Sequence, residues 1–347
     1  MYEDCSKTLN QLANEAATAL YLGRLNGELE RFQNAWSVQD LKHISRSDAE
    51  IRNTDFYASW NALETLKSKV IFWRPSRERV TINVREALAS NASSATLLVH
   101  SHDGYVREEA VKVLDLHAPT AKAILLLRCN DWVAPIRKTA LKRLRTAAPD
   151  WTPSDLSPLV SYVLGRKNQW ARGGEKALKI LLDHPAWNAA VHQTLLTQVN
   201  GPLAKVLRGL LKTDLHDGLL AELSQNAKSA QVRAVATQTV LEGCARWLVG
   251  TNWQWVDKTI SLRRRVPSWD KRIVDRPVEE LSAVFQSAAA DPIVSVRKLA
   301  AEHLIRLGPQ GSDRIIALLE QDRSKPVFER MDYYRRKWFG DRTEEMT

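Results

Sequence analysis

The chain has 347 residues, of which 44% are hydrophobic and 26% charged, and this composition is typical of a folded chain rather than a disordered one. The 50 Lys and Arg residues outnumber the 40 Asp and Glu residues, so the formal net charge of +10 favours an anionic partner, either nucleic acid or an acidic protein surface. The three cysteines are far apart and form no Cys-x-x-Cys pair, which argues against a disulfide framework and a zinc site.

The amino terminus lacks a basic segment followed by an apolar stretch, so no signal peptide is expected. The longest uninterrupted apolar run covers only residues 123–127, which is too short to cross a bilayer. Ala and Leu are abundant, whereas the alternating runs typical of strands are hard to find. We therefore expect a helical, cytoplasmic protein.

The first 90 residues predict helices over 4–35 and within 37–90, but they match the pattern of the following chain poorly. We interpret 1–90 as a divergent helical cap, because the end unit of a repeat array needs one polar face. From 91 to 320, apolar spacing and proline breaks predict successive helix pairs. The last residues, 321–347, are predicted to form a polar tail.

A short pattern recurs along the central region. Each copy has an apolar residue just before an arginine, an alanine three residues after it and another apolar residue seven after it; the arginines are Arg107, Arg137, Arg233 and Arg297. Steps of four place these residues on one helical face, with the small alanine where a second helix can approach. Such recurrence predicts an all-α fold, a right-handed α-solenoid of stacked helical hairpins.

Two copies carry an aspartate six residues before the arginine, at Asp131 and Asp291. An aspartate there can cap a helix by accepting backbone N–H groups, and Pro292 suits the first turn because it has no N–H to lose. The D-x-x-x-x-V-R-x-x-A-x-x-x-L pattern resembles the second helix of HEAT repeats. That resemblance implies HEAT-like hairpins joined by an Asp–Arg hydrogen-bond ladder. Its residues would be Asp131, Arg137, Asp291 and Arg297, and less fully Arg107 and Arg233.

The chain has 12 tryptophans, which is high for its length. Trp132, Trp151, Trp170 and Trp187 recur at about half the repeat length, a spacing that suits wedges between successive helices. We predict that these four are structural anchors in the core or in turns.

The segment 246–276 departs most from the repeat pattern, and 245–280 is predicted to be an insertion or a divergent repeat. It combines eight basic and three acidic residues with four tryptophans. Arginine and lysine neutralise phosphates and indoles stack on bases, so one interpretation is a nucleic-acid contact. The other is that the tryptophans fill the core between repeats and the arginines form a solvated face. The candidate binding residues are Arg246, Trp253, Trp255, Lys258, Arg263, Arg264, Arg265, Trp269, Lys271, Arg272 and Arg276.

Trp253 and Asp257 would share one face of a helix. The W-x-x-V-D string of Trp253, Val256 and Asp257 looks like a stretch of the HEAT-repeat alkylpurine DNA glycosylases. In that family the tryptophan cradles a cationic modified base and the aspartate assists its loss. The resemblance implies an alternative function in base excision, with Trp253 and Asp257 as catalytic residues.

A second basic cluster lies near the carboxyl terminus, at Arg330, Arg335, Arg336 and Lys337, with Tyr333, Tyr334 and Trp338 among them. It predicts either a phosphate or partner contact or a terminal helix whose aromatic side chains pack on the last repeat. The eight histidines form no recognisable metal-binding pattern, and no glycine-rich nucleotide motif occurs. We expect no metal and no cofactor.

The function predicted from these features is that of a non-catalytic HEAT-repeat scaffold that engages an anionic partner through the basic, tryptophan-rich segment. A protein partner is expected, nucleic acid is the open possibility, and no membrane contact is expected. The competing hypothesis is a DNA-binding HEAT-repeat enzyme of the base-excision type.

Overall fold

The computed structural model describes residues 8–22, 27–52, 88–89, 91, 93–165, 170–275, 278–310 and 312–340. The chain divides into two compact units, Met1–Val191 and His192–Thr347. The helices predicted within 37–90 lie partly outside the described residues, as do Arg276 and the last seven residues of the predicted tail.

The described part of the first unit is helical. Its helices are α1 (Leu9–Leu22), α2 (Glu28–Ser37), α3 (Ile44–Arg52), α4 (Ser93–Leu98), α5 (Gly104–Val113), α6 (Pro119–Cys129), α7 (Ala134–Ala147), α8 (Pro153–Gly165) and α9 (Gly174–Leu182), and α10 (Trp187–Thr197) runs across the unit boundary. Alternate helices pack into two rows, with α5 on α7 and α7 on α9 in one row and α6 on α8 in the other.

The second unit contains helices and one pair of strands. Its elements are α11 (Leu203–Leu210), α12 (Leu220–Asn226), α13 (Ala230–Glu242), β1 (Cys244–Asp257), β2 (Leu262–Ile273), α14 (Val278–Ala289), α15 (Val294–Leu307), α16 (Asp313–Glu320) and α17 (Lys325–Phe339). Alternate helices again form two rows, α11–α13–α15–α17 and α12–α14–α16.

The prediction of a mostly helical protein is confirmed, with 17 α-helices in the described residues, but the all-α prediction is wrong in one place. Between α13 and α14 the chain forms a two-stranded antiparallel sheet, β1–β2, which we call the ribbon. Within the predicted tail, residues Lys325–Phe339 form α17, in line with the prediction of a terminal helix.

The recurring sequence pattern forms a repeated structure. Every apolar residue of the four copies is buried. In each copy the arginine Nη1 group donates to the backbone carbonyls six and five residues earlier, at 2.7 and 2.8 Å for Arg107, 2.8 and 3.0 Å for Arg137, 2.8 and 3.2 Å for Arg233, and 2.8 and 2.9 Å for Arg297. Because the acceptors are carbonyls, the residue type at the earlier position is not restricted.

Three of these four arginines also bond to an aspartate of the following helix pair. Arg107 Nη2 donates to Asp131 at 3.1 Å, and Arg233 Nε donates to Asp291 at 2.7 Å. Arg297 Nε donates to Asp322 at 2.6 Å. Asp131 and Asp291 also accept from the backbone N–H groups of Val133 and Ile293, at 3.0 and 2.7 Å. These bonds lie in the turn just before each helix, so the aspartates do not cap the helices as predicted, but each joins its turn to the preceding pair.

Arg137 makes no such ion pair among the described residues. The backbone of Gly173 lies next to it instead, and a Cβ atom on that glycine would stand 3.3 Å from Arg137 Cδ and 2.7 Å from the Cys129 carbonyl oxygen. The series of Arg–Asp bonds is therefore interrupted at Arg137, where close approach of the backbone replaces a side-chain bond.

The four spaced tryptophans were predicted to be anchors in the core or in turns, and three of them are buried, namely Trp151, Trp170 and Trp187. Trp132 lies in a turn, and 63% of it is exposed. It lies in the turn before α7, where its carbonyl accepts from Arg137 and the Arg107 guanidinium lies 5.8 Å from its ring centroid. The backbone of Trp132 therefore takes part in the recurring arginine hydrogen bonds, while its ring remains in solvent.

Candidate functional site

The ribbon starts where α13 ends. Gly243 adopts a left-handed conformation with φ of 66°, which a residue with a side chain rarely adopts, and this turns the chain out of the helix. The strands then pair from Cys244 opposite Ile273 to Asp257 opposite Leu262. At the tip, Asp257 accepts the backbone N–H of Thr259 at 2.8 Å, which stabilises the turn.

Arg272 anchors the base of the ribbon to the helices. Its Nε group donates to the Leu211 carbonyl at 2.7 Å, and its Nη groups donate to the Thr213 carbonyl at 2.5 Å and to Asp217 Oδ2 at 2.8 Å. The hydrogen bond with Asp217 raises the pKa of Arg272. Arg272 was predicted to contact a partner, but these bonds make it a structural residue.

The ribbon has two chemically different faces. Side chains alternate between faces along a strand, and residues directly opposite each other share a face. Trp253 lies opposite Arg265, Trp255 opposite Arg263, Arg246 opposite Lys271, and Leu248 opposite Trp269. One face therefore carries Arg246, Trp253, Trp255, Arg263, Arg265, Trp269 and Lys271, which we call the basic tryptophan face.

The two carboxylates of the ribbon lie on the reverse face for different reasons. One extra residue in β1 lies between Leu248 and Gly250, and another lies between Trp255 and Asp257; the second places Asp257 opposite Leu262, on the reverse face. Asp270 is opposite Trp247 on the reverse face because side chains alternate along β2, which pairs without an extra residue. The four cations on the basic tryptophan face thus share it with no carboxylate of the ribbon.

The tryptophans of this face are in solvent rather than in a core. Trp253 is 60% exposed, Trp255 41% and Trp269 50%. The Arg263 guanidinium lies 3.7 Å from the Trp255 ring centroid and that of Arg265 lies 5.0 Å from Trp253, so the cross-strand pairs form cation–π contacts. The interpretation of these tryptophans as core between repeats is wrong.

The cations differ in how their charge is compensated. Arg246 forms an ion pair with Glu242 at 3.1 Å, and bonding to Cys244 and the charge of Glu242 raise the pKa of Arg246. For Arg263, Arg265 and Lys271, no ion-pair partner is found among the residues that the structure describes. These three side chains can therefore meet an external anion without breaking an existing pair.

A cleft of about 450 Å³ opens where the ribbon joins the helices, and we call it the base cleft. Its walls come from α11, α13 and the two strands, through Arg208, Val235, Gln238, Thr239, Cys244, Arg246, Trp269 and Lys271. The Arg208 guanidinium lies 5.9 Å from the Trp269 ring centroid, and burial lowers the pKa of Arg208. The sequence carries no signal for this cleft, and Arg208 was not among the predicted binding residues.

Other predicted binding residues lie elsewhere. Arg264 is on the reverse face, where its Nη2 group donates to Gln254 Oε1 at 3.0 Å. Lys258 is exposed in the tip turn. Arg276 lies outside the described residues.

The catalytic pair of the alternative hypothesis is not assembled. Trp253 and Asp257 lie on a strand, not on a helix, and the register shift at Val256 places them on opposite faces. Bonds from the Thr259 hydroxyl and backbone lower the pKa of Asp257, so its carboxylate is ionised and held within the turn. The predicted helical juxtaposition is therefore wrong.

The second basic cluster is bonded within its own unit, and its three arginines form ion pairs there. Arg330 bonds to Glu302 at 2.7 Å, Arg335 to Glu320 at 3.0 Å and Arg336 to Asp332 at 3.0 Å, while Lys337 donates to the Ile305 carbonyl at 2.9 Å. Tyr334 and Met331 are buried, and α17 packs on α15. This cluster joins a terminal helix to its neighbours, and the geometry does not support the predicted partner contact.

Within the described residues, no group of three or more His, Cys, Asp or Glu side chains is arranged to hold a metal ion. Among the described helices, none has the length and apolar character needed to cross a bilayer. Comparisons with protein-family models, curated proteins and solved structures found no match to the chain.

Proposed function

We propose that this protein is a non-catalytic binding scaffold that engages single-stranded nucleic acid, free or within a protein complex, through the basic tryptophan face. The observation that carries the proposal is the separation of charge on the ribbon. Four cations and three exposed tryptophans share one face, while Asp257 and Asp270 lie on the other.

Nucleic acid fits this face better than an acidic protein surface does. An acidic surface would meet the cations but would leave the indole rings without a specific contact. A nucleic acid supplies a phosphate charge and a base with a π-face at every nucleotide, so it uses both kinds of side chain.

A single strand fits better than a duplex because the bases of a duplex are already stacked on each other. Unpaired bases can leave their neighbours and stack on Trp253 or Trp255, while arginine next to each ring reaches the backbone. Such contacts read little sequence, so we expect weak sequence preference and strong salt dependence.

We further propose that the helices form a right-handed α-solenoid of HEAT-like hairpins. The support is internal to each unit: alternate helices stack in two rows, and the arginine of one pair bonds to an aspartate in the turn of the next. Base excision is not favoured, because the ribbon holds Trp253 and Asp257 on opposite faces.

The test is fluorescence anisotropy with labelled 20-nucleotide single-stranded DNA and RNA, the matching duplex and an acidic peptide, at 50 and 200 mM salt. We expect the single strands to bind most tightly. If the three unpaired cations each neutralise one phosphate, the affinity should fall by about 20-fold between the two salt concentrations. Tighter binding of the duplex or the peptide, or no binding at 50 mM salt, would overturn the proposal.

A further inference from the structure

The base cleft has the size and lining of a site for a small ligand. Its volume of about 450 Å³ lies within the range of roughly 300–1,000 Å³ typical of small-molecule sites. Trp269 lines the cleft from β2, and Val235, Gln238 and Thr239 line it from α13. The indole offers a surface on which a flat aromatic group can stack.

The charge of the cleft selects an anion. Arg208, Arg246 and Lys271 line it, and no Asp or Glu is among its lining residues. Arg208 is half-buried, and it has neither a hydrogen-bond nor an ion-pair partner among the described residues. Because arginine stays charged and this guanidinium is not engaged by an acceptor, it is available to an anion that enters the cleft.

The cleft also offers hydrogen-bond acceptors. The Gln238 amide nitrogen donates to Glu242 at 3.0 Å, which orients its carbonyl oxygen as a remaining acceptor. The Thr239 hydroxyl donates to the Val235 carbonyl at 2.8 Å, so its lone pairs remain as well. Both groups can accept from the amino or imino groups of a heterocyclic base.

The cleft is continuous with the proposed binding surface. Arg246, Trp269 and Lys271 belong both to the base cleft and to the basic tryptophan face. A strand that follows the face toward the helices therefore reaches the cleft opening. This continuity argues for a nucleotide rather than for an unrelated small anion.

We infer that the base cleft holds one nucleotide, with its base stacked on Trp269 and its phosphate bound by Arg208 and Lys271. The inference rests on the proposed function, because it specifies how one nucleotide of the bound strand is seated. It predicts that a free nucleoside monophosphate binds the protein at a single site.

The experiment is isothermal titration calorimetry of the full chain with AMP and CMP, and separately with adenosine and with inorganic phosphate. We expect AMP to bind at one site, and to bind at least about tenfold more tightly than adenosine alone or inorganic phosphate alone. Trp269→Ala should weaken this binding by about 5- to 150-fold, the range measured for loss of one base–aromatic stack. Arg208→Ala should weaken it as well, while Trp253→Ala, on the distant part of the face, should not.

A cleft-filling variant, Gln238→Trp, gives a second test that removes no cation. Circular dichroism and the Tm establish that this variant is folded. It should abolish monophosphate binding and weaken single-strand binding. Equal binding of inorganic phosphate and AMP, or monophosphate binding unchanged in Gln238→Trp, would overturn the inference.

The two proposals fail in different ways. If single strands bind the face but monophosphates do not bind, the cleft inference is wrong and the proposed function stands. If monophosphates bind but single strands do not, the cleft inference stands as a free-nucleotide site and the proposed function is wrong.

Discussion

Trp253 and Asp257 are four residues apart in one strand, yet they lie on opposite faces of the ribbon because the register shifts at Val256. In an undistorted strand they would share a face, and the carboxylate would lie beside the cations. The bulge therefore removes a negative charge from the surface that we propose to bind phosphates.

The first prediction compares two adjacent arginines. Arg265→Glu should weaken single-strand binding by about tenfold or more and lower the salt slope by about 0.7, the value of one lost phosphate contact. Arg264→Glu makes the same charge change on the reverse face and should have a much smaller effect. Anisotropy titrations at two salt concentrations measure both. Equal losses in the two variants would show that only net charge matters.

The second prediction concerns Asp257. Asp257→Asn should leave single-strand affinity unchanged, because the side chain faces away from the basic tryptophan face and asparagine can also accept the turn bond from Thr259. Release of methylated purines from alkylated DNA should be undetectable in the unsubstituted protein. Release that disappears in Asp257→Asn would support base excision instead.

The third prediction separates anchoring from binding at Arg272. Arg272→Ala should reduce the free energy of unfolding by about 1–3 kcal/mol, through loss of charge-assisted hydrogen bonds, and make the ribbon more sensitive to protease. Asp217→Asn should act in the same direction, although Asp217 is not part of the ribbon. Urea unfolding and limited proteolysis measure these effects. Loss of nucleic-acid binding in Arg272→Ala with normal protease resistance would identify Arg272 as a direct contact.

The fourth prediction concerns Asp131, whose side chain is fully buried against Arg107 and Arg128. Asp131→Asn leaves the buried Arg107 guanidinium without a carboxylate and leaves Arg128 with Asp48 alone, and it should cost about 3–5 kcal/mol of unfolding free energy. Asp270→Asn, on the exposed ribbon, should cost little. Urea unfolding measures both, and similar small costs would mean that the buried bond contributes little.

The fifth prediction is a pH dependence. The hydrogen bond from Arg297 lowers the pKa of Asp322 from 3.8 to about 2, with burial opposing the shift. A carboxyl with a lowered folded-state pKa contributes stability above its unfolded pKa and loses it as the pH falls toward the folded value. The stability difference between the unsubstituted protein and Asp322→Asn should therefore shrink from pH 5 to pH 2. A difference that is constant over this range would contradict the assignment.

The helical part of the fold was predictable because its apolar residues recur with helical spacing. The Arg–Asp bonds were predicted less fully at Arg107 and Arg233, where the residue six before is not aspartate. The structure explains their bonds, since that position supplies only a carbonyl and the carboxylate comes from the next helix pair. The residue type at the position six before the arginine could not reveal a contact between one helix pair and the next.

The ribbon was not predictable from hydropathy, because most of its residues are exposed on both faces and no apolar side alternates with a polar one. The Trp-x-Trp and Arg-x-Arg spacings at 253–255 and 263–265 do have the strand period of two. Combined with the tryptophan, valine and threonine content of β1, that spacing was the available signal. The base cleft could not be predicted, since it unites Arg208 with residues far along the chain.

Arg233 precedes the ribbon and Asp291 follows it, yet they bond directly to each other, at 2.7 Å. The strands also begin and end side by side, at Cys244 and Ile273. The helices before and after the ribbon are thus bonded directly to each other, next to the point where the ribbon projects from them. A ribbon of different length or sequence should therefore leave the bond between Arg233 and Asp291 in place, so the folding of the helices should tolerate such exchanges.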